Sequence, residues 1–154
     1  MVELADRVGE PDARPLRVLV LCTGNSIRSQ ITEALLRELA GERVEVVSAG
    51  TRGGGGVHPY TLRLLEERGL DTSRVRSKSV AEFLGQRFDV VITVCDDALE
   101  ACPVFPGAPR TIHWSTPDPT ASMSDSGELW NRFRAVAGSL EQRVKDFVAE
   151  VVPA

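Results

Sequence analysis

Short runs of apolar residues alternate with longer segments in which apolar residues recur every three or four positions. The runs are typical of strands buried on both faces of a parallel sheet, and the spaced segments are typical of amphipathic helices. Strands are predicted at Val18–Leu21, Val44–Ser48, Asp89–Val94 and Thr111–Trp114. Helices are predicted at Ser29–Ala40, at Pro59–Gly69, in a short segment from Ser79, and along the apolar stripe Leu129, Phe133, Val136, Leu140, Val144, Phe147 and Val151.

The first two helices each have a predicted inner face. Ile31, Leu35 and Leu39 share one side of the first helix, and Leu62 and Leu65 point inward from the second. The order of strands and helices predicts an α/β fold, a single-domain doubly wound four-stranded parallel sheet with helices on both faces. Ligands bind beyond the C-terminal ends of the strands in such sheets, so we expect the functional residues in the loops that follow them.

Composition predicts one globular domain at residues 16–154, after a flexible N-terminal tail at residues 1–15 that combines charge with Pro11 and Pro15. The formal net charge of −4 gives no support for nucleic-acid binding, and no apolar run is long enough to cross a membrane. The N-terminus does not resemble a secretory signal, and the chain has 3 cysteines. We therefore expect a cytoplasmic protein with free thiols, and nothing in the sequence argues for more than a monomer.

The loop after the first strand carries the candidate chemistry. Its sequence, CTGNSIRS, separates Cys22 from Arg28 by five residues. Successive backbone N–H groups in such a turn form an anion-binding nest, and an arginine fork binds two oxygens of a tetrahedral oxyanion. This positive field favours the thiolate of Cys22, to which Ser29 can donate a hydrogen bond. The predicted oxyanion-binding residues are Thr23, Gly24, Asn25, Ser26, Ile27 and Arg28.

Cys95 and Cys102 follow the third strand. Their separation equals two helical turns, so both thiols could share one helix face with Cα atoms ~10 Å apart. A disulfide needs about 4.4–6.8 Å, so the helix would have to unwind, and Pro103 and the short segment favour a marginal helix. Structural burial of both thiols is the alternative. No metal site is expected, because no second pair of cysteines or histidines accompanies them.

CTGNSIRS, together with VVSAG at the end of the second strand and the late Asp118-Pro119 pair, resembles low-molecular-weight protein tyrosine phosphatases and the arsenate reductases of the same fold. The spacing of Cys95 and Cys102 resembles that of thioredoxin-coupled arsenate reductases. The resemblance implies that Cys22 attacks arsenate, that Cys95 attacks Cys22 to release arsenite, and that Cys102 attacks Cys95. Reduced thioredoxin would then reduce the Cys95–Cys102 disulfide, so no bound cofactor is expected, and phosphate or sulfate would compete with arsenate. The implied role is arsenic detoxification.

Several alternatives stay open at this point. Asp118 matches the family's general acid, so a phosphatase acting through a Cys22 phospho-enzyme is the alternative function. A non-catalytic oxyanion-binding or phosphopeptide-binding module is another. Thr120 stands where such phosphatases typically carry a tyrosine, which weakens the phosphatase interpretation. Mycothiol or glutathione could replace thioredoxin as electron donor.

Some relatives bind potassium near the loop. Asn25, Glu33 and Ser48 match three of the ligand positions, but Lys78 replaces the acidic fourth. We therefore predict no potassium requirement. The run Gly53–Gly56 is expected to form a flexible, solvated connector close to the site.

Overall fold

The computed structural model describes residues 14–121 and 125–152, so most of the predicted tail lies outside the described residues. The strands are β1 (Leu16–Cys22), β2 (Val44–Gly50), β3 (Val90–Thr93) and β4 (Arg110–His113). The α-helices are α1 (Arg28–Ala40), α2 (Pro59–Glu67), α3 (Asp96–Glu100) and α4 (Ser126–Val151). Two short 3-10 helices lie at Gly41–Arg43 and Val80–Phe83.

The four strands form one parallel sheet in the order β2-β1-β3-β4. β1 lies between β2 and β3 and is almost entirely buried, as its continuous apolar sequence predicts. This arrangement confirms the predicted four-stranded, doubly wound α/β fold. The C-terminal ends of β1, β2 and β3 meet at one edge, where Cys22, Gly50 and Cys95 lie at or just after the strand ends.

Helix α4 packs through the predicted stripe, of which six members are buried and Leu129 is partly buried against the core. The helix begins at Ser126, earlier than predicted, because the Asp125 side chain caps it by accepting a hydrogen bond from Glu128 N at 2.8 Å. No helix in the described parts of the chain is both long and apolar enough to span a membrane.

The predicted inner faces of α1 and α2 are wrong at one position each. Leu39 is 39% exposed, because eight residues at 3.6 per turn place it about 80° around α1 from Ile31. Leu62 is 36% exposed, and Thr61 takes the inner position beside Leu65 instead. The Thr61 hydroxyl is satisfied there by donating to Ser26 O at 2.8 Å.

The segment between the second and third cysteines forms only a short helix, as the sequence predicts. Helix α3 has 5 residues, with Cys95 as its N-cap and Ala101 as its C-cap, so Cys102 lies outside it. The expectation that both thiols share one helix face is therefore wrong. Pro103 explains the early end, because a residue that precedes proline is disfavoured in helical geometry. The predicted helix from Ser79 forms as a 3-10 turn, in which the Ser79 side chain accepts from Ala81 N.

Candidate active site

The loop from residue 23 to residue 27, here called the oxyanion loop, turns its carbonyl groups outward. Each of these carbonyls accepts a hydrogen bond from outside the loop: Thr23 from Arg52 N (2.8 Å), Gly24 from Ser77 Oγ (2.9 Å), Asn25 from Gln30 Nε2 (3.0 Å), Ser26 from Thr61 Oγ1 (2.8 Å) and Ile27 from Ile31 N (3.0 Å). A trans peptide sets each N–H opposite the preceding carbonyl, so the loop's N–H groups face its interior. The loop is therefore built to bind an anion.

Cys22 lies at the base of this loop and is 2% exposed. Asn25 N donates to Cys22 Sγ at 3.1 Å, and Ser29 Oγ lies 2.8 Å from the same sulfur. Ser29 Oγ also accepts from Asn25 Nδ2 at 2.7 Å, which leaves its own proton for the sulfur. Two donors therefore point at Sγ, the arrangement that a thiolate nucleophile requires.

Asn25 fixes the shape of the loop. Its φ of 51° lies in the left-handed region, which asparagine tolerates better than most residues. Its amide also donates to Ser48 Oγ at 2.9 Å, and its Oδ1 accepts from Lys78 N at 2.8 Å and from Gln30 Nε2 at 3.0 Å. The side chain is fully buried. Every donor and acceptor of the Asn25 side-chain amide is thus paired, and one loop conformation satisfies all of these hydrogen bonds.

Arg28, Cys95 and Asp118 line one cavity of about 370 Å³. Arg28 Nη1 donates to Thr116 O at 3.0 Å, which holds the guanidinium at the edge of this cavity. Asp118 Oδ1 accepts from Thr120 N at 2.8 Å and from Thr120 Oγ1 at 2.7 Å. Partial burial of Asp118 favours its neutral form, but these hydrogen bonds and the nearby charges of Arg28 and His58 outweigh burial and lower its pKa.

The other two thiols are also free, but their surroundings differ. Cys95 is 4% exposed, and its Sγ lies 3.3 Å from Thr23 Oγ1 on the oxyanion loop. Cys102 is only partly buried, with Sγ 3.5 Å from Pro103 O, and burial raises its pKa. One thiol therefore adjoins the anion site, and the other follows α3 nearer the surface.

The sequence matches low molecular weight phosphotyrosine protein phosphatases over residues 17–153. The chain belongs to this family. An arsenate reductase of Halalkalibacterium halodurans is 35% identical over 130 residues, which are 84% of this chain and 93% of that protein. An arsenate reductase structure from Archaeoglobus fulgidus has a TM-score of 0.70 and 31% identity, and covers 86% of this chain and 99% of its own. A thioredoxin-dependent arsenate reductase structure from Corynebacterium glutamicum has a TM-score of 0.68 and 28% identity, and covers 97% of this chain and 68% of its own.

These comparisons confirm the family resemblance, the fold and the expectation of an enzyme. Within the described residues of this family member, no group of three or more His, Cys, Asp and Glu side chains is placed to hold a metal ion. The polar network behind the loop instead contains a buried ammonium group.

Lys78, which the sequence analysis expects in place of an acidic potassium ligand, is buried behind the loop. Its Nζ lies 3.7 Å from Glu33 Oε1 and donates to Arg76 O at 2.9 Å. Glu33 also accepts from Ser48 Oγ at 2.5 Å and pairs with Arg37 at 2.9 Å. Burial lowers the pKa of the Lys78 ammonium, although the attraction of Glu33 opposes that shift. A positive side chain therefore already faces Glu33.

Two glycines near the loop have roles that the sequence analysis missed. A Cβ atom on Gly50 would lie 2.4 Å from Thr23 O, so β2 can approach the oxyanion loop only because this position has no side chain. A Cβ on Gly53 would lie 1.8 Å from Lys78 O. Gly53 is therefore packed against backbone, unlike the exposed Gly54–Gly56, and the predicted solvated connector is wrong at its first residue.

Three polar residues around the site were also missed or left without a role. Gln30 is 2% exposed, and its place directly after the loop motif was a usable signal. His58 N donates to Ser26 Oγ at 2.9 Å, and burial lowers the pKa of its imidazole although Asp118 opposes the shift. Thr61 carried no sequence signal, since only the tertiary fold brings it to the loop.

Proposed function

We propose that the protein reduces arsenate to arsenite in the cytoplasm through Cys22, Cys95 and Cys102, with reduced thioredoxin as the electron source. The observation that carries this proposal is the position of Cys95, whose Sγ lies 3.3 Å from the oxyanion-loop hydroxyl of Thr23. Hydrolysis of a phosphate ester needs one thiol, whereas reduction needs a second thiol beside the first. The names of the relatives support the same substrate.

In the first step, the loop N–H groups and the Arg28 guanidinium bind the arsenate oxygens. The Cys22 thiolate attacks arsenic, one As–O bond breaks, and the departing oxygen takes a proton from Asp118 and leaves as water. The pKa of Asp118 is lowered in the free enzyme, in part by Arg28. A doubly charged oxyanion bound to Arg28 offsets that charge, so substrate binding favours the protonated carboxyl that this step uses.

In the second step, the Cys95 thiolate attacks Cys22 Sγ. The electron pair of the S–As bond stays with arsenic, which leaves as arsenite, and a Cys22–Cys95 disulfide remains. The Cys102 thiolate then attacks Cys95 Sγ and displaces the Cys22 thiolate. The two electrons have thus come from a pair of thiols, and the dithiol of thioredoxin restores them by reducing the Cys95–Cys102 disulfide.

Phosphatase activity is the second candidate function. Cys22, Arg28 and Asp118 form the complete set that a phospho-enzyme mechanism requires, and Arg28 and Asp118 already line one cavity. Thr120 argues against a phosphotyrosine substrate. It hydrogen-bonds to Asp118 at the position where the phosphatases typically place a tyrosine.

The deciding experiment follows NADPH oxidation with purified protein, arsenate, thioredoxin and thioredoxin reductase, beside an assay of p-nitrophenyl phosphate hydrolysis. We expect sustained, arsenate-dependent oxidation that Cys22→Ser abolishes. Cys102→Ser should release one arsenite per enzyme and then stop, because Cys95 can still attack Cys22 but cannot be reset. Ester hydrolysis without NADPH oxidation would instead establish the phosphatase.

Full turnover by Cys102→Ser with thioredoxin as the only reductant would contradict the relay. Turnover that needs glutathione or mycothiol in place of thioredoxin would leave the relay standing and change the electron donor. A Cys22 thiol that reacts with iodoacetamide like an ordinary cysteine across pH would point to a non-catalytic binding module.

A further inference from the structure

His113, the last residue of β4, is hydrogen-bonded to residues on both sides of Cys95. Its Nδ1 lies 2.7 Å from Thr93 Oγ1, and its Nε2 lies 2.7 Å from Asp96 Oδ1. A neutral imidazole with its proton on Nε2 satisfies both contacts, by accepting from the threonine and donating to the carboxylate. The imidazole therefore bridges the end of β3 and the first residue of α3, across the backbone of Cys95.

Helix α3 is otherwise lightly held. It has 5 residues, of which only Ala98 is buried. Cavities of about 370 Å³ and 350 Å³ border it, one shared with Arg28 and the other with Arg52. The hydrogen bond to His113 is the largest cause of the lowered pKa of Asp96; desolvation opposes it, and Ser115 and Arg28 lower the pKa by less. The bridge to His113 is thus a principal attachment of α3 to the sheet.

Formation of a Cys95–Cys102 disulfide requires α3 to unwind. Five helical residues alone span about 7.5 Å, and the two cysteines lie at or beyond the ends of that span. A disulfide needs Cα atoms about 4.4–6.8 Å apart. Rearrangement of residues 96–101 moves Asp96 away from the fixed strand that carries His113. The hydrogen bond between His113 and Asp96 therefore forms only while Cys95 and Cys102 are reduced.

We propose that His113 is a positioning residue for the thiol relay, which stabilises the dithiol form of Cys95 and Cys102 by tying Asp96 to the sheet. The inference rests on the proposed reductase function. A dithiol protein becomes a stronger oxidant when its reduced form is stabilised, so the bridge raises the reduction potential of the Cys95–Cys102 couple. The consequence is that thioredoxin can reduce the disulfide more completely after each turnover.

The test measures that potential directly in the full chain carrying Cys22→Ser, so that only the Cys95–Cys102 couple can close. The protein is equilibrated with defined ratios of reduced and oxidised dithiothreitol, quenched with acid, alkylated and analysed by mass spectrometry. Variants His113→Ala and Asp96→Asn weaken the bridge from either side. Asp97→Asn is the matched control, because Asp97 is an exposed carboxylate in the same helical turn without a histidine partner.

We expect His113→Ala to favour the disulfide about fivefold, which is a fall of about 20 mV for a two-electron couple. Asp96→Asn should shift the potential in the same direction by less, since the amide oxygen still accepts a hydrogen bond. Asp97→Asn should leave the potential unchanged. The combination of His113→Ala with Asp96→Ala should shift it no further than His113→Ala alone.

Equal potentials for His113→Ala and the parent would refute the role of His113 and leave the relay intact. An equal shift in potential from Asp97→Asn would also refute the role of His113, because the shift would then come from removing any negative charge in the helix. Should His113→Ala fail to fold, the exposed substitution Asp96→Asn decides the question. Failure of the parent to form any Cys95–Cys102 disulfide would overturn both the relay and this inference.

Discussion

Removing the side chain of Asn25 should destabilise the whole protein, although the residue lies in a loop. Asn25→Ala removes hydrogen bonds to Ser29, Ser48, Gln30 and Lys78 N, all at buried positions. Loss of partners for buried polar groups costs about 1–3 kcal/mol. An alanine at a φ of 51° adds about 1–2 kcal/mol of backbone strain. Together these give a loss of about 2–5 kcal/mol in the free energy of unfolding.

The measurement is urea unfolding under reducing conditions, compared at equal m-values. With an m-value of about 2 kcal/mol/M, a loss of 3 kcal/mol lowers the midpoint by about 1.5 M urea. Asn25→Gly separates the two causes, because glycine adopts positive φ without strain. Asn25→Gly should lose less stability than Asn25→Ala, and the loss that Asn25→Gly still shows comes from the missing hydrogen bonds. A change below about 0.5 kcal/mol for Asn25→Ala would refute the network described above.

Three further predictions test neighbouring features. Gly50→Ala should abolish binding of phosphate or sulfate, because the new methyl group would lie 2.4 Å from a loop carbonyl. Calorimetry measures this binding, and an unchanged anion affinity would show that the loop can shift. Arsenate reduction should be equal in KCl and NaCl at one ionic strength, because the Lys78 ammonium already faces Glu33; a sharp rise with potassium alone would contradict this. Thr120→Val removes a hydrogen bond that lowers the pKa of Asp118, so the carboxyl stays protonated to higher pH and the alkaline limb of the kcat profile should move up. A downward or absent shift would remove Asp118 from the role of proton donor.

The fold and the centre of the site were predictable because each depends on local chemistry. Continuous apolar runs identify buried parallel strands, and a thiol and an arginine spaced around small polar residues identify an anion-binding turn. The partners that hold the turn were not predictable. Ser77 and Thr61 reach the loop only through tertiary contacts, and a serine or threonine in isolation carries no signal of them. The same holds for His113, which reaches Asp96 from the neighbouring strand.

The wrong predictions have separate physical causes. Leu39 and Leu62 were assigned to inner faces from the spacing of apolar residues, but the accumulated helical rotation exposes Leu39, and Thr61 takes the inner position near Leu62. Gly53 was interpreted from its neighbours as flexible, whereas its lack of a side chain permits close backbone contact. The possibility that Cys95 and Cys102 share a helix face came from their spacing, whereas the helix ends before Cys102.

The outward-facing carbonyls of the oxyanion loop have a consequence for selectivity. Main-chain N–H groups recognise the shape and charge of a tetrahedral anion, and arsenate and phosphate share both. Discrimination by a reductase built on this loop therefore comes after binding, when a second thiol can cleave a bond from sulfur to arsenic. In the proposed reductase, phosphate would occupy the same site but could not pass on to the second thiol step. The arsenate concentration that gives half-maximal turnover then depends on the surrounding phosphate concentration more than on the affinity of the loop for arsenate.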